Sequence, residues 1–258
     1  MPSTTSAAFD YSKVAEDYDR LRGRDRNKLE QWVREVIQYC APERTESVLD
    51  IGCGTGRYTE LLNRFFGTVY GLDRSAEMLG VAVREHEAGG VSFIRGEATS
   101  LPFQDSVFDM ILMVMSLHQI GTENIVALFR SLRYKLREEG ALVLITNSHS
   151  RMRRSNWAHF PGVVARDLAR FPSIPFTISE LKAAGFRKVG YASVKKLFGT
   201  LPVEDYLARV EGKYISTLSM MSEDEFRRGF IKFSRWVRSH YSNGVPDEQE
   251  FVLVKAYR

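Results

Sequence analysis

Val48-Leu49-Asp50-Ile51-Gly52-Cys53-Gly54-Thr55-Gly56 is the stretch on which the reading of this chain turns. Val48 to Ile51 has the composition of a short buried strand, and three glycines at alternate positions follow it. Glycine lets the backbone turn sharply and approach a ligand closely. The helix that starts after the loop offers unpaired N–H groups, so a nucleotide-type ligand is the natural guest. A dinucleotide fingerprint requires glycine at the first, third and sixth positions. Here the sixth position is Arg57, and Asp50 stands two residues before the first glycine. A carboxylate at that place repels a pyrophosphate and suits an ammonium group.

Working outward, Thr68 to Leu72 forms a second strand and ends at Asp73, 21 residues after Gly52. That is close to the spacing at which an acid accepts hydrogen bonds from ribose hydroxyls. Val91 to Ile94 is a third strand. Phe108 to Val114 is a fourth, apolar on both faces and therefore central. Ala141 to Thr146 is a fifth. Helices fall between them: Tyr58 to Phe66; a helix with Met78, Leu79, Ala82 and Val83 that Ser75 caps; and one marked by Ile125, Leu128, Phe129, Leu132 and Leu136 that closes near Gly140. Strands alternating with helices predict a parallel sheet, and such sheets bind ligands outside the carboxyl ends of their strands.

The flanks are less regular. Residues 1–26 read as an N-terminal arm or lid, and Leu29 to Cys40 as a helix that Pro42 ends. Residues 149–176 read as irregular, with Arg151, Arg153, Arg154, Trp157 and Phe160 close together. Thr177-Ile178-Ser179-Glu180 has the pattern of a capping box, and Arg187 to Val194 that of a sixth strand. Residues 198–245 form a helical cap insert, with Pro202 at a helix start, Ser222 and Glu225 as a second capping box, and a stripe of Phe226, Phe230, Phe233, Val237 and Tyr241. Phe251 to Val254 is the last strand. The expected organisation is an arm at 1–26, a core at 27–197, the insert at 198–245 and a terminal core strand at 246–258.

The 258 residues are 44% hydrophobic and 26% charged, with a formal charge of +4. This composition suits one large α/β domain with a small appended cap. No apolar run reaches the length of a membrane span, and Met1 to Ala8 lacks the features of a secretory signal, so a cytoplasmic protein is expected. Two cysteines, Cys40 and Cys53, make neither a disulfide framework nor a zinc site, and no metal site is expected. The basic balance is slight, and there is no RNA-binding motif or stacked aromatic and basic pattern, so nucleic acid is not the expected partner. The oligomeric state is open.

Val48 to Gly56 resembles motif I of the class I S-adenosylmethionine-dependent methyltransferases, close to the subgroup of ubiquinone and menaquinone biosynthesis enzymes. Gly96-Glu97-Ala98-Thr99-Ser100-Leu101-Pro102-Phe103, Phe108-Asp109 and Ser116-Leu117-His118 resemble that subgroup's later motifs, and the likeness spans about residues 9–146. It implies a Rossmann-like, doubly wound, mostly parallel seven-stranded sheet with an antiparallel last strand. It also implies S-adenosylmethionine as cofactor, with Glu97 and the backbone of Ala98 at the adenine and the loop around Met115 near the methionine end. Phe9-Asp10 through Arg22 resembles an arm that folds over the cofactor, with Tyr11, Tyr18 and Arg22 as contacts. The candidate cofactor residues are thus Asp50, Gly52, Cys53, Gly54, Gly56, Asp73, Arg74, Met78, Glu97, Ala98 and Met115, with Tyr11, Tyr18 and Arg22 from the arm.

Methyl transfer from a sulfonium releases a neutral thioether, so such an enzyme chiefly aligns donor and acceptor and excludes water. A base is needed only where the acceptor must first lose a proton. His118, after the fourth strand, is the candidate for it. Arg151 and Trp157 are candidate acceptor contacts, Arg151 for a carboxylate or phosphate. The expected function is methylation of a small-molecule acceptor at O, N or C. RNA or protein methylation, and S-adenosylmethionine binding without catalysis, remain the alternatives.

Overall fold

The computed structural model describes residues 9–23, 25–40, 46–86 and 90–258. The first eight residues of the expected arm, Pro42 and the side chain of Cys40 lie outside the described residues. A 3-10 turn at Tyr11–Val14 leads into α1 (Tyr18–Arg22) and α2 (Arg26–Cys40). The alternation then begins: β1 (Ser47–Ile51), α3 (Thr59–Leu62), β2 (Thr68–Asp73), α4 (Ala76–Glu85), β3 (Val91–Arg95), β4 (Phe108–Val114), α5 (Ile125–Lys135) and β5 (Leu136–Thr146). Three helices follow, α6 (His149–Arg154), α7 (Val163–Arg170) and α8 (Ile174–Ala183), and then β6 (Arg187–Leu201). The cap helices α9 (Val203–Glu211), α10 (Ser216–Ser219) and α11 (Glu223–His240) precede β7 (Val245–Tyr257).

The seven strands form one sheet in the order β3-β2-β1-β4-β5-β7-β6. The first five pair in parallel, and β7 runs antiparallel between β5 and β6. This is the Rossmann-like sheet that the strand pattern and the family resemblance predict. After β3 the chain crosses back over β1 to place β4 on its other side. The sheet order reverses there, and the crevice outside the carboxyl ends of β1 and β4 is where such folds bind ligands.

The sheet is covered on both faces. Leu49, Ile51, Ile111 and Met113 pack with α5 residues Leu128, Phe129 and Leu132 on one side. Val48, Met110, Leu112 and Val143 pack with Val33 and Val36 of α2 and with Leu61 and Leu62 of α3 on the other. β4 contributes to both cores, as its doubly apolar sequence predicts, and so do its neighbours β1 and β5. The cap has a core of its own: Phe226, Phe233 and Val237 of α11 close on Phe160, Val163, Tyr206 and Leu218. The aromatic stripe is therefore packing, with Phe230 and Tyr241 at its margin.

Several elements differ from their sequence signals. α3 has only four residues, because the chain leaves the helix in turns from Asn63 to Phe65. Leu136 opens β5 instead of closing α5, since its side chain is buried in the main core beside Phe108. Residues 149–176 are largely helical. Ser148 caps α6 by accepting from the N–H of Arg151 at 3.2 Å; α6 has six residues with only Met152 buried, too few to show an apolar period. The N-cap of α8 is Ser173, not Thr177, and Ser173 accepts from the N–H of Phe176. Pro175 fits the first turn there, and Thr177 is buried inside the helix with its hydroxyl donated to the Ser173 carbonyl. β6 continues to Leu201, paired with a β7 that itself begins at Val245. No described helix is long and apolar enough to cross a membrane.

Gly229 lies inside α11, where alanine ordinarily stabilises by about 1 kcal/mol. Here a Cβ would overlap the buried ring of Phe160. Gly229→Ala is therefore expected to destabilise the chain, by about 1–3 kcal/mol, in urea-denaturation midpoints. A gain of stability would refute the close packing of α11 on Phe160.

Candidate active site

The glycine loop is held from three sides. The N–H groups of Gly52 and Cys53 both donate to the Leu72 carbonyl, at 2.7 and 3.1 Å. The Ser116 hydroxyl, beyond β4, donates to the Ile51 carbonyl at 2.8 Å. The N–H of Gly54 donates to Asp73 Oδ2 at 2.8 Å, and Asp73 Oδ1 accepts from the N–H of Ser75 at 2.9 Å. Gly52 has φ +72°, and a Cβ there would stand 2.5 Å from Ser116 Cβ. Both the backbone conformation and the close approach of β4 thus require glycine. Met78 of α4 lies over the loop, its Cε within 3.0 Å of where a Gly54 Cβ would be.

Asp50 is 1% exposed at the end of β1. Its Oδ2 accepts from the Thr59 hydroxyl at 2.7 Å, while Oδ1 has no partner among the described residues. Burial, with a smaller push from Asp73, raises its pKa to about 7. Burial also holds the Cys53 thiol well above its ordinary value, so it stands as a neutral group inside the loop.

The N-terminal arm is fastened to this loop. The Thr55 hydroxyl donates to Asp19 Oδ1 at 2.9 Å. Arg57 donates to the Gly23 carbonyl at 2.9 Å and pairs with Asp19 at 3.5 Å. Tyr11, Tyr18 and Ala15 pack on Met78 and Val81 of α4. Arg57, the residue that breaks the dinucleotide pattern, is thus the anchor of the arm.

Beside the loop is a cavity of about 100 Å³. Tyr11, Tyr18 and Arg22 of the arm, Met115 and His118 beyond β4, and Arg151 and Trp157 from the segment after β5 all line it. Met115 has φ +50°, unusual for a residue with a side chain, and its N–H donates to the Ile145 carbonyl at 2.8 Å. Asn147, Asp167, Phe171, Ser216 and Thr217 are also part of the wall. Sequence reasoning passed over these five, and over Arg170 behind them. The only local signal is the three-residue spacing of Asp167 and Arg170 on α7. Arg170 donates to the hydroxyls of Ser216 and Thr217 at 3.4 and 3.2 Å. The Thr217 hydroxyl in turn donates to Asp167.

His118 is stacked on Phe171, ring centroids 4.0 Å apart. Its protonation follows from its neighbours. Gln119 Oε1 accepts from the N–H of Phe9 at 3.1 Å, so the Gln119 amide nitrogen is the group that faces the Tyr11 hydroxyl at 3.2 Å and His118 Nε2 at 2.8 Å. Nε2 is therefore an acceptor and the ring proton sits on Nδ1. Nδ1 is buried with no partner among the described residues. Burial, followed by Arg170 and Arg22, lowers the His118 pKa well below its ordinary value. This is a neutral hydrogen-bond donor with its basic nitrogen already occupied, which does not suit the general-base role expected from the sequence.

The other candidates do not line this cavity. Glu97 is exposed and closes a turn, its carbonyl accepting from the N–H of Ser100 at 3.0 Å. Ala98 packs on the main core, and Arg74 is exposed. Arg153 is exposed, and Arg154 points outward to Glu250. Among the described residues no group of three or more potential metal ligands occurs.

A family described as a methyltransferase domain matches residues 48–140. The chain is 32% identical to a demethylmenaquinone methyltransferase of Thermotoga maritima over 142 residues, 52% of this chain and 58% of that protein. It is 27% identical to one of Roseiflexus castenholzii over 160 residues, 60% of this chain and 66% of that protein. The chain thus spans about three fifths of the curated relatives it matches. Its fold is that of a phosphoethanolamine N-methyltransferase of Haemonchus contortus solved with S-adenosyl-L-methionine, with a TM-score of 0.61 and 17% identity over 100% of this chain and 61% of that one.

Two tests follow from this geometry. The folded chain holds a proton on Asp50 that the unfolded chain releases near pH 4, so Asp50 favours folding below that pH and the contribution is lost as pH rises through about 7. Asp50→Asn is expected to flatten the pH dependence of stability in this window, by up to about 1.4 kcal/mol per pH unit, in urea midpoints of both chains at pH 4.5 and 7.5. Parallel curves would refute it. Arg57→Ala is expected to speed proteolytic cleavage between residues 9 and 25 severalfold with little change in overall stability; an unchanged cleavage rate would show that Arg57 does not hold the arm.

Proposed function

We propose that this chain, which matches a methyltransferase domain family at residues 48–140, transfers a methyl group from S-adenosylmethionine to a small-molecule acceptor by in-line displacement. The observation that carries this is the pairing of two ligand spaces at one edge of the sheet. The glycine loop with Asp50 and Asp73 is one, the cavity beyond β4 is the other, and the arm touches both.

The chemistry of the first space fits the cofactor. Asp50 Oδ1 is a buried acceptor with no partner among the described residues. Each Asp73 oxygen takes one backbone N–H, and a carboxylate oxygen has a second lone pair. Unspent acceptors suit an ammonium group and a pair of ribose hydroxyls, whereas a pyrophosphate would meet two carboxylates. Gly52, Cys53, Gly54, Gly56, Asp50 and Asp73 would hold the cofactor, with Arg74, Met78, Glu97 and Ala98 toward its adenine. Met115 and the arm residues Tyr11, Tyr18 and Arg22 would close its other end. When bound, the cofactor supplies a methyl carbon on a sulfonium whose departure needs no proton.

The chain's own part is to position and to dry the site. The arm lies across the glycine loop and the cavity and excludes water from both. His118 donates through Nδ1 and takes no proton. Trp157, stacked on Phe233 at 5.5 Å, ties the cavity wall to the cap core. A cavity of about 100 Å³ supports a small acceptor over a nucleic acid or protein segment.

Calorimetry with S-adenosylhomocysteine and with a nicotinamide dinucleotide tests the cofactor. Binding of the first alone is expected, weakened about tenfold or more by Asp73→Asn, a loss of about 1.4 kcal/mol. Release of S-adenosylhomocysteine from S-adenosylmethionine with a small-molecule extract, and none with RNA or protein, is the expected turnover. Dinucleotide binding, or turnover confined to a macromolecular fraction, would overturn the proposal.

A further inference from the structure

The acceptor cavity is unusually rich in donors. Two guanidinium groups, Arg22 and Arg151, line it, against the single carboxylate of Asp167. That carboxylate is already engaged: it accepts from Thr217, and burial raises its pKa although Thr217 and Arg170 pull the other way. Arg22 stacks on the Tyr18 ring at 4.8 Å, and its buried Nε has no partner among the described residues. Arg151 makes one long side-chain hydrogen bond, 3.4 Å to Asn147, and no ion pair among the described residues. Burial lowers its pKa against the opposing pull of Glu250 and Glu248, and an anion seated beside the charged guanidinium would offset that desolvation. The Nδ1–H of His118 is a third donor without a partner among the described residues.

Unmatched donors at a desolvated wall are costly unless a ligand satisfies them. With Arg22 given to the cofactor and Asp167 held by Thr217, Arg151 is the lining charge left with free donors, and free donors favour an anionic acceptor over an ammonium. A planar guanidinium matches a carboxylate in bidentate fashion. The space is also small: a cavity of about 150 Å³ holds benzene, and this one is about 100 Å³. We infer that the methyl acceptor carries a carboxylate, seated in this cavity against Arg151 and the Nδ1–H of His118. The inference rests on the methyltransferase assignment above and narrows its acceptor to small carboxylic acids. Arg151 and His118 are then the residues that select the acceptor.

The test uses the full chain saturated with S-adenosylhomocysteine and titrated with propionate, propionamide and inorganic phosphate, followed by Trp fluorescence and calorimetry. Propionate is expected to bind at least tenfold more tightly than its neutral isostere propionamide and more tightly than phosphate. Arg151→Gln and His118→Phe are each expected to weaken propionate at least tenfold while leaving S-adenosylhomocysteine affinity within twofold. His118→Asn, which keeps a donor near the Nδ1 position, is expected to restore most of the loss, and Arg151→Lys part of it. Equal binding of propionate and propionamide, or tighter binding of phosphate, would overturn the carboxylate. So would an Arg151→Gln variant that loses propionate and S-adenosylhomocysteine by the same factor, since Arg151 would then serve the cofactor. Failure of the unaltered chain to bind S-adenosylhomocysteine is a separate result, and it would remove the methyltransferase assignment itself.

Discussion

The contact between Gly52 and Ser116 is the constraint on which the site depends. It joins the ends of β1 and β4, the two strands on either side of the point where the sheet reverses direction. A side chain at Gly52 would push these ends apart and release the hydroxyl that Ser116 gives to Ile51. The loop would then lose its support from β4 and keep only the pairing to Leu72 and Asp73. Everything downstream is referred to this joint. Met115 and His118 follow β4 by one and four residues, and their place at the cavity is set by how tightly β4 meets the loop.

The site uses burial in two opposite ways. On the cofactor side, burial strips Asp50 of solvent and leaves it short of donors. On the cavity side, it strips Arg151 and His118 and leaves donors short of acceptors. The two imbalances do not cancel, because Asp50 and Arg151 are not partners. An apolar core would be more stable than either arrangement. Such deficits are characteristic of places where a ligand completes the structure.

The sheet was legible because its signals are local. Apolar runs such as Val48 to Ile51 and Phe108 to Val114 need no tertiary information, and the glycine loop carries its own backbone conformation. The meeting of Asp73 with Gly54 follows from the spacing of the two. The segment after β5 was not legible for the converse reason. Its helices are six, eight and ten residues long, and Arg170 takes one of the buried positions, so any apolar period is brief and interrupted. Ser173 and Thr177 both offer a cap hydroxyl, and the choice is made by burial of Thr177, which the sequence does not display. His118 was visible as a residue near the site, but its proton is placed by Gln119 and the N–H of Phe9, more than a hundred positions away. Glu97 and Arg74 show the opposite case: motif position named them, and the structure leaves their side chains at the surface.

The arm is more than a cover. Asp19 grips the loop that cradles one ligand, and Tyr11, Tyr18 and Arg22, within eight residues of it, form the wall that meets the other. A segment with a foot in each site makes their occupancies thermodynamically linked. Whatever one ligand contributes to ordering the arm, the other no longer has to supply, and the benefit is equal in both directions. Under the proposed function the same tie would have a kinetic face, because a ligand leaving either space would have to pass the contacts that residues 11–22 make with the loop and the cavity.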